Sequence, residues 1–243
     1  MTSVSTISFG SAYERPGVTR RRPPVLSKAS QAEVCYTCHK VGEAGMDFGP
    51  DLTTFGRQQP IEVQAQSVGG LHNWIETIRT YPKPVIAAVE GAAAGAGFSL
   101  ALACDFIVAA RNAVFVMAYS NVALSPDGGA SWSLSHALPR QVATEILMCG
   151  DRISAERLHA LGVVNRIAET GSALETALAL AEQLNARAPN ALASIKELLN
   201  EAPHAQLTHH LAHERDHFVK NLHHANGGAG ISAFLEKRVP RYE

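Results

Sequence analysis

The sequence predicts an α/β fold in which short buried strands alternate with helices. Val85–Val89 is a continuous apolar run of strand length, which is typical of a strand buried on both faces. Gly95–Gly97 follows it and opens a helix of small residues, and Phe106–Ala110 is a second short apolar run. Strand, turn, helix and strand in this order indicate the α/β class.

Periodicity and stop signals predict the remaining elements. Gln64–Thr80 is predicted as a helix that ends before Pro82 and has one apolar face. The residues of that face are Leu71, Trp74, Ile75 and Ile78. Ser154 is predicted as a helix N-cap, and Leu161–Arg166 as a helix stop followed by a closing strand. Further amphipathic helices are predicted at Ser172–Ala186, Asn190–Leu199 and Leu207–Leu222.

The composition is that of an ordinary globular protein. The 243 residues are 46% hydrophobic and 18% charged, with a formal net charge of −1, which gives no support to nucleic-acid or membrane binding. Met1–Arg22 lacks the apolar core of a secretory signal, and no uncharged run of membrane-spanning length follows, so we expect a cytoplasmic protein. Cys104 and Cys149 lie in apolar surroundings and are expected to be reduced core thiols.

The turn at Gly95–Gly97 is the first candidate site. Small residues let a ligand approach the backbone, and the first N–H groups of a helix have no internal partner and lie at the positive end of the helix dipole. The turn therefore suits an anion, or an oxygen that becomes one during a reaction. The alternative is that Gly95 and Gly97 only permit close packing of the helix on the strand.

Around this turn the chain resembles the crotonase superfamily, the enoyl-CoA hydratases and isomerases. The resemblance is carried by Lys83-Pro84-Val85-Ile86-Ala87-Ala88-Val89 and by the turn after it. It implies a crotonase-like spiral of ββα units and an acyl-CoA substrate whose thioester oxygen is held by two amides, with no separate cofactor. The matching donor is the amide of Ala96, between the substrate-binding Gly95 and Gly97. A weaker resemblance at Ala44–Phe48 would place the second donor at Met46.

The same resemblance suggests a division of the chain. It is continuous from Val63 to the end, so residues 61–190 are expected to form a crotonase-like core and residues 191–243 a helical region that assembles trimers or hexamers. Residues 1–60 are an atypical segment. At the C-terminal end Lys237 is either close to a phosphate of CoA, as in the relatives, or a solvated lysine.

A loop from Ala118 to Trp132 is the second candidate site. The two glutamates with which crotonase-type hydratases hold water match Ser99 and Tyr119 here, and neither can act as a carboxylate base at neutral pH. Hydration is therefore disfavoured. Ser125–Gly129 instead resembles the loop of ring-1,2-epoxyphenylacetyl-CoA isomerases of phenylacetate breakdown and of related enoyl-CoA isomerases, in which a single aspartate moves a proton.

This resemblance makes Asp127 the acid/base residue of an isomerase. Gly128 beside it is expected to contribute to substrate binding, and Tyr119 and Trp132 are expected to line a partly dry pocket. The alternative is that Asp127 is a turn residue or the N-cap of a helix through Trp132–Ala137, and both roles can coexist.

A CxxCH motif, formed by Cys35, Cys38 and His39, offers a different function. It supplies two thiols and an axial ligand for a c-type haem, and Gly49–Thr53 resembles the loop that follows the motif in small cytochromes. A zinc site is a further alternative. We expect an unligated segment, because haem attachment needs export and the cytochrome resemblance stops near residue 62.

A second metal motif is His213–His217, which has the letters HExxH of zinc proteases. The same helix resembles the C-terminal helix of crotonases, Glu-Arg-Asp-x-Phe, and we expect no metal there. The sequence thus predicts an acyl-CoA isomerase, with an inactive or truncated hydratase-like protein and a c-type haem protein as the alternatives.

Overall fold

The computed structural model describes residues 60–243, together with the backbone of three short strands that precede them. The strands in chain order are β1 (Ser5–Phe9), β2 (Lys40–Val41), β3 (Ala44–Gly45), β4 (Val85–Val89), β5 (Ala92–Ala94), β6 (Phe106–Ala110), β7 (Val114–Val116), β8 (Ile153–Ser154) and β9 (Arg166–Ala168). The helices are α1 (Ile61–Thr80), α2 (Ala96–Ala103), α3 (Ala130–Ala137), α4 (Arg140–Cys149), α5 (Ala155–Ala160), α6 (Ala173–Asn185), α7 (Pro189–Glu201), α8 (Leu207–Leu222) and α9 (Ala225–Leu235). Short 3₁₀ helices lie at Ala118–Val122 and Ala202–His204.

A parallel sheet with the order β1-β4-β6-β9 forms the centre of the fold. Ile86 lies opposite Phe106 and Val108 opposite Arg166, which fixes the register of β4, β6 and β9. The short strands β5, β7 and β8 form a second sheet, in which β5 and β7 run parallel. Strands of both sheets alternate with helices along the chain, as the α/β class predicts.

The core lies between the central sheet and the helices around it. All five residues of β4 are buried, as the continuous apolar run requires of a strand that is covered on both faces. Phe98 of α2 and Phe115 of β7 are fully buried and their ring centroids lie 5.0 Å apart, so α2 is packed on the second sheet.

Several element predictions are confirmed. The bounds of β4, β6 and α8 are those read from the sequence, and Ser154 is the N-cap of α5, accepting a hydrogen bond of 3.2 Å from the amide of Arg157. The apolar face predicted for α1 is correct for Ile75 and Ile78, which are buried.

Other predictions are wrong. Trp74 was expected on the apolar face of α1, but its side chain is 68% exposed. Cys149 was expected in the core and is exposed. The predicted order of strand, turn and helix missed β5, because its three alanines carry no strand signal.

Within residues 60–243, no helix combines the length and the apolar character needed to span a membrane.

Candidate active site

The turn between β5 and α2 is built around Gly95. Its φ of 51° lies in the left-handed region, where glycine adopts the conformation without the clash of a side chain. The Gly95 amide donates to the carbonyl of Val116 at 2.9 Å, and the Gly95 carbonyl accepts from the amides of Phe98 and Ser99, each at 3.0 Å. These bonds fix the start of α2.

The amides of Ala96 and Gly97 are the first of α2, and neither donates a hydrogen bond to any residue from 60 to 243. Among residues 60–243, a Cβ placed on Gly97 would meet nothing within 4 Å. Two N–H groups at the positive end of a helix, without an acceptor among the described residues, suit an oxygen that carries negative charge.

Tyr119 joins this turn to the acidic loop. A Cβ on Gly95 would lie 3.5 Å from the Tyr119 hydroxyl, so the phenol rests against the turn, and the same hydroxyl donates a hydrogen bond to Oδ1 of Asp127. Asp127 is half-buried. The carboxylate and the turn are therefore separated by one hydroxyl group, which brings the two sites predicted from sequence together.

Tyr119 acts as a hydrogen-bond donor. Burial raises the pKa of its phenol, and the hydrogen bond to Asp127 raises it further. A phenol with a raised pKa stays protonated at neutral pH, so the hydroxyl faces the carboxylate as a neutral donor.

Ser99 makes a second link between the two segments. Its side chain is buried, with Oγ 3.0 Å from the backbone oxygen of Asp127 and 3.3 Å from that of Gly95. The sequence marked Ser99 only as the place of a missing glutamate. The signal that could have revealed its role is a hydroxyl on an otherwise apolar helix, because a buried hydroxyl needs an acceptor.

Gly128 is held tightly against α2. Its φ is 57°, and a Cβ there would lie 2.8 Å from Cβ of Ser99 and 3.4 Å from Cδ2 of Leu71. Only glycine fits this position without a shift of its neighbours. Gly128 therefore allows the loop to pack closely on α2. Its contact with substrate stays a prediction.

The N-cap role considered for Asp127 is wrong. Helix α3 begins at Ala130, and Gly129, with a φ of 75°, occupies the N-cap position. Only the backbone oxygen of Asp127 takes part in the turn, accepting from the Ala130 amide at 3.2 Å. The carboxylate is thus left to interact with Tyr119.

Trp132 does not line the Asp127 pocket, contrary to expectation. Its ring lies 4.3 Å from Cζ of Arg79 and stacks on His136 at 4.1 Å between centroids. These three residues line an open cavity of about 330 Å³ at the C-terminal end of α2, beside Cys104. Neither Ala96 nor Asp127 belongs to this cavity.

The other predicted site residues are less closely connected. Lys237 is exposed just after α9, with a φ of 55°, and no contact in residues 60–243 joins it to Ala96 or Asp127. The predicted second donor, Met46, lies outside the described residues, as does the CxxCH motif at Cys35–His39.

The histidines of the HExxH letters contact a neighbouring helix. Nδ1 of His213 lies 2.5 Å from Oε2 of Glu201, and Nε2 of His217 lies 3.8 Å from Oε2 of Glu197. Both glutamates belong to α7. This geometry gives no support to a zinc protease, which needs both histidines directed at one metal.

Comparisons with known proteins show what this chain is similar to. The chain is 38% identical over 168 residues to 1,2-epoxyphenylacetyl-CoA isomerase of Escherichia coli, covering 69% of this chain and 64% of that protein. It is 40% identical over 162 residues to carnitinyl-CoA dehydratase of Salmonella typhi, covering 65% and 62%. The matches thus span less than two thirds of these relatives.

A solved structure matches over a longer range. The structure of an enoyl-CoA hydratase from Polaromonas sp. JS666 superposes with a TM-score of 0.79 and 56% identity, covering 100% of this chain and 98% of that one. The family profile of enoyl-CoA hydratase/isomerase matches residues 42–243, so the similarity begins before Val63, where the sequence analysis placed its start. Fold and family profile agree: the chain belongs to the enoyl-CoA hydratase/isomerase family, the crotonase family.

Proposed function

We propose that the protein isomerises an acyl-CoA thioester of the enoyl-CoA or epoxyphenylacetyl-CoA type, with Asp127 as the only acid/base residue. The observation that carries the proposal is the placement of the Asp127 carboxylate, one hydroxyl group away from the turn whose Ala96 and Gly97 amides donate to no residue from 60 to 243. A base beside a stabilised carbonyl oxygen is what removal of a proton near a thioester requires.

The reaction needs no water and no external reagent. For an enoyl substrate, the Asp127 carboxylate takes a proton from one carbon of the acyl chain, and the electron pair of that C–H bond moves toward the thioester oxygen. The amide of Ala96, with Met46 as its proposed partner, holds the resulting enolate oxygen. The protonated Asp127 then returns the proton to another carbon, so the double bond has moved and the carboxylate is restored.

The residues at the two glutamate positions favour isomerisation over hydration. Ser99 is committed to backbone oxygens and Tyr119 to Asp127, so neither is placed to activate water as a carboxylate pair would. The names of the relatives include an isomerase, a dehydratase and a hydratase, so the chemistry of the site is what supports this choice. CoA enters as part of the substrate, and we propose no other cofactor.

The test is turnover of a 3-enoyl-CoA and of epoxyphenylacetyl-CoA, followed by chromatography and by deuterium uptake from D₂O. We expect Asp127→Asn to lower kcat at least about 100-fold, because Asn cannot carry the proton, while the Kd for the acyl-CoA stays within about threefold. Asp216→Asn on the exposed face of α8 is the matched control and should keep full activity. Acyl-CoA binding without turnover in the wild type would favour the inactive alternative.

We further propose assembly into trimers or hexamers through the C-terminal helices. Large apolar side chains on α7, α8 and α9 are more than half exposed, which is unusual for an isolated subunit. They include Ile195, Leu199, Leu207, Leu211, Phe218 and Phe234. Light scattering after size-exclusion chromatography tests the proposal, and a monomer at micromolar concentration would contradict it.

A further inference from the structure

We propose that Tyr119 is a positioning residue for Asp127: its hydroxyl holds Oδ1 and leaves Oδ2 as the oxygen that carries the substrate proton. The inference rests on the proposed isomerase function, and it assigns a task to a residue that stands where the hydratases of the family have a glutamate. It predicts that Tyr119 affects the rate only through Asp127.

The contacts of Asp127 support this assignment. Among residues 60–243, the Tyr119 hydroxyl is the donor to the carboxylate, and it reaches Oδ1. No donor from the same part of the chain reaches Oδ2. The backbone oxygen of Asp127 is held separately by Oγ of Ser99, at 3.0 Å. The residue is thus fixed at its main chain by one hydroxyl and at one carboxylate oxygen by another.

Tyr119 is itself held in place. It lies in the 3₁₀ helix Ala118–Val122, which ends at Ala123 in the left-handed conformation, with a φ of 58°. The amide of Leu124 donates to the backbone oxygen of Tyr119 at 2.9 Å, and the ring rests against Gly95. A donor fixed in this way can hold the carboxylate without moving during the reaction.

The chemistry explains why a fixed carboxylate matters. One oxygen has to reach two different carbons of the acyl chain in turn, and a misplacement of about 1 Å can cost a factor of about 100 in rate. A hydrogen bond to a charged group contributes enough free energy to hold one orientation against free rotation. Burial and Asp127 both raise the pKa of Tyr119, so it stays a donor throughout the assay range and does not compete as a base.

The test is a double-mutant cycle on kcat with Tyr119→Phe, Asp127→Asn and the double variant. Phenylalanine keeps the ring against Gly95 and removes only the hydroxyl. We expect Tyr119→Phe to lower kcat about 10- to 100-fold with KM within about threefold. Because Tyr119 acts through Asp127, the double variant should be no slower than Asp127→Asn alone. Tyr81→Phe, at a tyrosine that is 40% exposed, is the matched control.

Three outcomes would overturn the inference. The losses in kcat could multiply in the double variant, Tyr119→Phe could keep the wild-type kcat, or its effect could fall on KM alone, which would indicate substrate binding. Thermal melting of each variant and deuterium exchange into bound acyl-CoA separate loss of fold from loss of chemistry. A wild type that neither turns over nor exchanges substrate protons would overturn the isomerase proposal, and the inference with it.

Discussion

Nζ of Lys196 lies 2.7 Å from Oδ2 of Asp105, in a pair whose lysine side chain is 7% exposed. The same Nζ donates to the carbonyls of Ile78 at 2.8 Å and Lys83 at 3.2 Å, while Oδ2 of Asp105 also accepts from the amide of Val85 at 2.8 Å. Burial raises the pKa of Asp105, and the hydrogen bond from Lys196 opposes this shift. Helix α7 is thereby tied to the end of α1 and the start of β4.

Lys196→Met should destabilise the protein by about 3 kcal/mol, because it leaves a largely buried carboxylate without its partner. Urea denaturation followed by circular dichroism measures the loss. The matched control is Lys220→Met on the exposed face of α8, which should change the free energy of unfolding by less than about 0.5 kcal/mol.

A second substitution separates the charge from the packing in this pair. Adding Asp105→Asn to Lys196→Met removes the uncompensated carboxylate, so the double variant should be more stable than Lys196→Met alone. A double variant that is less stable than Lys196→Met would show that the pair stabilises the fold through packing rather than through charge.

Gly128→Ala should destabilise the protein by about 2 kcal/mol or more, because alanine is strained at a φ of 57° and its Cβ would clash with Ser99. Gly69→Ala in α1 is the control, and we expect it to raise the free energy of unfolding rather than lower it. No described residue lies within 4 Å of a Cβ added to Gly69, so alanine should stabilise the helix by about 0.5–1 kcal/mol. Equal effects of the two substitutions on the free energy of unfolding would contradict the described loop.

The described thiols Cys104 and Cys149 should differ in their rate of alkylation. Burial, followed by the charge of Asp105, raises the pKa of the Cys104 thiol from 9.0 to about 12. Cys149 is exposed. At pH 8 iodoacetamide should modify Cys149 at least about ten times faster than Cys104, as measured by peptide mass spectrometry. Comparable rates would contradict the raised pKa of Cys104, and denatured protein is the control in which both thiols should react alike.

The contact between Glu201 and His213 should affect stability at acid pH. The hydrogen bond from His213 lowers the pKa of Glu201 from 4.5. A carboxylate with a lowered pKa stabilises the fold above its ordinary pKa and loses this effect as pH falls through the lowered value. The difference in Tm between wild type and Glu201→Gln should therefore shrink from pH 6 to pH 3. Glu182→Gln, at an exposed glutamate of α6, should show no such trend.

The sequence predicted well those elements that have strong local signals. Val85–Val89 is preceded by two prolines and is apolar throughout, and Leu207–Leu222 has a regular apolar period, so both were found with their observed bounds. Ala92–Ala94 was missed because alanine alone favours no strand, and pairing with β7 decides its conformation. Trp74 matched the period of α1 but lies outside the surface that α1 buries.

The site was predicted in part. The resemblance named Asp127, Ser99 and Tyr119, but the hydrogen bond between Tyr119 and Asp127 depends on a 3₁₀ helix and on Ala123 at a positive φ. Neither has a clear sequence signal, because alanine rarely adopts that conformation. The N-cap role, the alternative considered for Asp127, is wrong because two glycines with positive φ lie between it and α3.

The anchoring of Lys196 has a practical consequence for anyone who shortens this protein. A chain cut at residue 190, the end of the predicted core, would lose the ammonium group that satisfies two carbonyls and one carboxylate beneath α1. If such a fragment folded, these three acceptors would be left without their donor. We therefore expect the smallest fragment that folds alone to extend at least through α7.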